Sequence, residues 1–78
     1  MKLKTFDKCN VAVVTEYTVF RGDECVDWFT EDYCKTEGDN VNKKLAYIEK
    51  GADVRFVAVN SVTGNLRVTL AIKGEEND

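Results

Sequence analysis

Histidine and proline are both missing from this chain, and serine occurs once, at Ser61. Without histidine the usual Ser-His and Cys-His nucleophile pairs are excluded, together with the commonest general base. Glycine is scattered: Gly22, Gly38, Gly51, Gly64 and Gly74 stand apart from one another, so no glycine-rich loop is available to cradle a phosphate. No apolar run approaches the ~20 residues that cross a bilayer, and the opening Met-Lys-Leu-Lys-Thr-Phe-Asp-Lys is basic without the apolar stretch of a signal peptide. The expectation is a cytoplasmic protein that makes no use of a membrane.

Cysteine is present in an odd number, as Cys9, Cys25 and Cys34. An odd count with no export signal argues against a disulfide framework and for reduced, mostly buried thiols. Their long spacings and the lack of histidine also argue against a zinc site, which wants four ligands with a closely spaced pair among them. Neither a cofactor nor a metal is expected, and the chain reads as a non-enzyme.

What the sequence does contain is the composition of a small folded domain: 78 residues, 44% hydrophobic and 32% charged. That is too apolar for disorder. The formal net charge of −3 disfavours a nucleic-acid binder that works by neutralising many phosphates. A single α+β domain is expected over 1–74, followed by a frayed acidic tail over 75–78.

Along the chain, 2–6 reads as a short strand and Asp7-Lys8-Cys9-Asn10 as a turn. Val11 to Phe20 is rich in β-branched and aromatic residues, with Val11, Val13, Tyr17 and Val19 on one strand face. After Arg21-Gly22, Asp23 is placed to cap a helix reaching Cys34, in which Cys25, Val26, Phe29 and Tyr33 form an apolar stripe. A second helix buries Val41, Leu45 and Ile48, is capped by Asp39 or Asn40, and stops at Gly51. Asp53–Asn60 and Leu66–Lys73 form a hairpin through Gly64 and Asn65. Either plausible turn length puts Val57, Val59, Leu66, Val68 and Leu70 on one face, and Phe56, Ala58, Arg67, Thr69 and Ala71 on the other. The expected fold is a small antiparallel sheet of three to four strands with two helices on one face, in the order β(β)ααββ.

The stretch from Gly22 to Cys34 holds five acids, no base, the sole tryptophan and two of the three cysteines. Read as a helix, it turns Asp23, Glu24, Asp27, Glu31 and Asp32 outward with Trp28 at the margin. Such a face suits a basic partner surface, the acids steering approach and the aromatic serving as anchor. Exposed i, i+4 carboxylates otherwise only solubilise a helix, because general acid/base work needs burial or a partner to shift a carboxyl.

Two functions follow. One is a non-catalytic module that binds a larger host protein. Its size and composition suit a phage or mobile-element accessory protein inhibiting a host defence or nucleic-acid enzyme. The alternative is a small RNA- or DNA-binding domain using Lys43, Lys44, Lys50, Arg55 and Arg67, with Phe56 as a stacking platform. An unpaired edge at 2–6 or 66–73 would also offer a second copy a place to pair.

Overall fold

The computed structural model describes residues 1–32 and 38–74. Its elements run α1 (Leu3–Cys9), β1 (Val14–Arg21), β2 (Glu24–Asp32), α2 (Gly38–Glu49), β3 (Asp53–Val59) and β4 (Leu66–Ile72). This is a small α+β fold, two helices and a four-stranded sheet in the order β2-β1-β4-β3. The expected tail at 75–78 lies outside the described residues.

Three expectations about the elements are corrected. The segment 2–6 belongs to a helix, since Leu3 and Phe6, three apart, both turn toward the core, and Leu3 is fully buried. A seven-residue helix has little stability of its own. Leu3 burial and the Leu3 N–H bond to the Ala52 carbonyl at 2.8 Å tie it down.

The second correction is larger. Glu24–Asp32 is a strand, paired antiparallel with β1, and not the acidic helix expected from 23 to 34. Gly22 at φ 61 and Asp23 form the two-residue turn between Arg21 and Glu24, which pair across it. A glycine with positive φ at the first turn position is what a type II′ hairpin requires. Val26, Trp28, Phe29 and Thr30 are strand formers, and β1 supplies their ladder. Tyr33 and Cys34, assigned to that helix, lie outside the described residues.

Thirdly, the sheet is mixed. β1 pairs antiparallel with β2 but parallel with β4, and β3 pairs antiparallel with β4. It follows that β2 and β3 run in the same direction, with α2 in the connection between these two edge strands. Two hairpins are thus joined by α2, with β1 and β4 side by side in the middle.

Both helices cover one face of this sheet. Leu3, Tyr17, Val19, Phe29, Ala52, Val68 and Leu70 make the core, with Phe6, Tyr47 and Ile48 packed against it. Phe29 lies between two rings, 5.0 Å from Tyr17 and 5.9 Å from Tyr47, so one aromatic stack joins β1, β2 and α2. The inward side of α2 is Lys44, Tyr47 and Ile48; the expected Val41 and Leu45 are exposed. Helix α2 stops as expected, with Gly51 at φ 75 and the Ala52 N–H returning to the Tyr47 carbonyl at 3.0 Å. The helix begins at Gly38, one residue before the expected caps Asp39 and Asn40, which lie within it.

The hairpin faces agree with the sequence reading: Val57 pairs with Val68 and Val59 with Leu66 on the helix side, while Phe56 pairs with Thr69 on the other. Val11 and Val13 precede β1 and are exposed instead of joining its inner face.

Candidate functional site

The hairpin and the strand alternation of β2 divide the six acidic-face residues into three groups. Asp27 and Glu31 share a face with Phe29 and point toward α2. Trp28 and Asp32 point to the opposite face, and Asp23 and Glu24 sit at the exposed hairpin end. No helix in the described residues carries these side chains, so they form no common surface.

Glu31 is only 6% exposed. Its Oε2 lies 2.6 Å from Lys44 Nζ, and the same ammonium lies 3.0 Å from Asp7 Oδ1 of α1. Burial alone would lower the Lys44 pKa, but the hydrogen bonds and charges of Glu31 and Asp7 outweigh it and hold the ammonium above its usual 10.5. Lys44 is therefore a buried cation between two acids, and it leaves the exposed basic surface expected for α2.

Asp27 makes a parallel set of contacts. Its Oδ2 accepts from Tyr47 Oη at 2.7 Å, and its Oδ1 accepts from the Trp28 N–H at 2.7 Å and from Lys43 Nζ at 3.3 Å. Burial pushes this carboxyl up, and the three donors together carry it below the usual 3.8. Burial and the adjacent Asp27 carboxylate push the Tyr47 hydroxyl up to about 12. These groups are structural fastenings between β2 and α2.

The other sheet face has no helix over it among the described residues. The register aligns Trp28, Thr18, Thr69 and Phe56 in one row across all four strands, Trp28 at one edge and Phe56 at the other. Trp28 is 61% and Phe56 64% exposed. At the usual strand spacing of ~4.8 Å the two aromatic positions stand about 14 Å apart along this row. A shallow trough of 260 Å³ lies on the Phe56 half of it, lined by Thr18, Phe56, Ala58, Arg67, Val68 and Thr69 and not by Trp28. In the neighbouring row Glu16 accepts from Asn65 Nδ2 at 2.9 Å and lies 3.9 Å from Arg67 Nε. That charge is answered locally, leaving the row of Trp28, the two threonines and Phe56 as the uncharged part of the face.

Sequence reasoning had named Trp28 and Phe56 separately and missed that they share a face. The available signal was the run of strand formers Val26, Trp28, Phe29 and Thr30 following a Gly-Asp two-residue turn. The five bases of the alternative reading are dispersed. Lys43 is spent on Asp27, Lys44 is buried, Lys50 lies 5.3 Å over the Tyr47 ring, and Arg55 and Arg67 belong to the sheet. Cys9 and Cys25 are free and exposed, a correction to the expected burial of the thiols; Cys34 lies outside the described residues.

Among the described residues no cluster of side chains could hold a metal ion, and no helix is long and apolar enough to cross a membrane. No protein-family model, curated protein or solved structure matches the chain.

Proposed function

We propose that this protein is a non-catalytic binding module that docks a larger protein on the open face of its sheet, with Trp28 and Phe56 as anchors at the two edges of that face. The observation that supports this is the pair of largely exposed aromatics held in one row on a face that no helix covers among the described residues. Large exposed aromatics are costly to leave in water, and they are the residues that dominate binding energy once a partner desolvates them. The exposed acids Asp23 and Glu24 lie at the hairpin end of the Trp28 strand, so a partner with basic groups beside an apolar patch fits best. A small accessory protein of a phage or mobile element, acting by occupying a site on a host defence or nucleic-acid enzyme, is the biological setting we assign to it.

Trp28 is the only tryptophan, so its fluorescence reports on this face without interference. Capture from host cytosol is compared for the native chain, Trp28→Ala and Phe56→Ala, each first shown to retain the native circular dichroism. A partner held by the native chain and lost by Trp28→Ala supports the reading. Equal retention by all three chains overturns it. Quenching of Trp28 by a single-stranded oligonucleotide, reversed by salt, would transfer the face to the nucleic-acid alternative.

A further inference from the structure

We propose that the chain forms a twofold homodimer by antiparallel pairing of β3 with its copy, centred on Ala58. The sequence pointed to edges at 2–6 or 66–73, but the first is helical and the second is β4, paired on both sides. The edges of the sheet are β2 and β3.

The two differ in how much of their backbone is spoken for. On β2 the Trp28 N–H is held by Asp27 Oδ1 at 2.7 Å, and the Thr30 carbonyl accepts from Asn40 Nδ2 at 2.5 Å. Side chains thus occupy outward groups in the middle of that strand. On β3 the first residues are covered by the N-terminal segment, with the Val54 N–H bonded to the Met1 carbonyl at 2.7 Å and Lys2 bridged to Asp53. Beyond the Arg55 bulge nothing covers the edge among the described residues.

That uncovered piece is Phe56-Val57-Ala58-Val59, which has no charge. The Asn60 N–H turns inward to the Asn65 carbonyl, so by antiparallel alternation Ala58 and Phe56 also turn theirs toward β4. The N–H and C=O groups of Val57 and Val59 therefore point away from the sheet. Their side chains lie on the helix side of the sheet but past its cover, with Val59 66% exposed. Unpaired backbone plus exposed apolar side chains is the combination that invites strand addition, and charged or bulged edges are the usual defence against it.

The strand is its own complement. With the twofold axis at Ala58, Val57 of one copy faces Val59 of the other, and the reverse, so that all four outward groups of each copy find partners. The small Ala58 occupies the close, non-hydrogen-bonded position at the axis, and the four valines form one cluster. Of the nearby charges, Lys2 and Asp53 neutralise one another at 3.3 Å, and the Arg55 guanidinium is turned to the Gly22 carbonyl at 3.5 Å. With β2 blunted, pairing through β3 closes at two copies and does not propagate.

Sedimentation equilibrium across micromolar to millimolar concentrations should show the native chain approaching twice its monomer mass. Val59→Lys, which puts a charge on the edge while leaving the β4 ladder intact, should weaken association at least ~tenfold. Amide exchange of the native chain supplies a check that no variant can spoil: Val57 and Val59 should become protected as concentration rises. A native chain that stays monomeric throughout, an association that Val59→Lys leaves unchanged, or one that Trp28→Ala abolishes in its place overturns the proposal.

Discussion

Lys44 Nζ lies 2.6 Å from Glu31 Oε2 in the layer between α2 and the sheet, each residue less than a tenth exposed. The pair joins the helix to an edge strand, and Asp7 draws α1 into the same contact. A buried ion pair adds little net stability over apolar residues of the same shape, yet removing one member strands the other charge.

Lys44→Ala should accordingly destabilise the fold by about 3–5 kcal/mol, measured by urea denaturation. Replacing both partners, as Lys44→Met with Glu31→Leu, should restore most of that loss. If the double variant is no better than the single one, the pair is not the unit of stabilisation described. Reversal of Asp27 and Glu31 to lysine, the natural test of an acidic outer face, should unfold the protein and not merely weaken binding.

Neighbouring aromatics on β2 should respond oppositely to truncation. Phe29→Ala should cost roughly 3–5 kcal/mol, as expected for a ring buried between Tyr17 and Tyr47. Trp28→Ala, one residue away and largely exposed, should change stability by no more than about 0.5 kcal/mol. Equal losses at the two positions would mean that this segment does not alternate as a strand.

Acid should loosen the Asp27 contacts. Its folded pKa is lowered from 3.8, so its contribution is fully present above that value and is lost as pH falls through the lower folded value. The stability difference between the native chain and Asp27→Asn should therefore shrink as pH drops below 3.8.

At the alkaline end, Tyr47 has a folded pKa raised from 10.0 to about 12. Its contribution is present below 10 and is lost as pH climbs through about 12. Lys44, raised above 10.5, contributes in the same sense. Absorbance titration of the tyrosines should show a late step near 12 that Tyr47→Phe removes.

Much of the fold was legible because local pattern and tertiary demand agreed. The β3–β4 hairpin could be read down to its faces, since period-two alternation and the Gly64 turn leave only one apolar face whatever the register. The β2 segment was not, because Cys25, Val26 and Phe29 satisfy a helical stripe as readily as a strand, and the acids at 27 and 31 hide the inward alternation. An inward carboxylate looks like a solvent residue until its cation is located, and Lys43 and Lys44 arrive from 16 and 13 residues away.

By itself the sequence determined the chemistry: a small mixed domain, acidic, without histidine, whose apolar residues suffice for one thin core. It also determined the hairpin and the glycine stops, which depend on short-range geometry. Which face Trp28 occupies, and which acids are spent internally, was decided only by tertiary structure. Strand pairing with β1 forces the alternation of β2, and α2 then brings lysines and a tyrosine to the carboxylates that face it. Exposure is a property of these non-local contacts, so the exposed Trp28 and the buried Glu31 could be told apart only once the chain was folded.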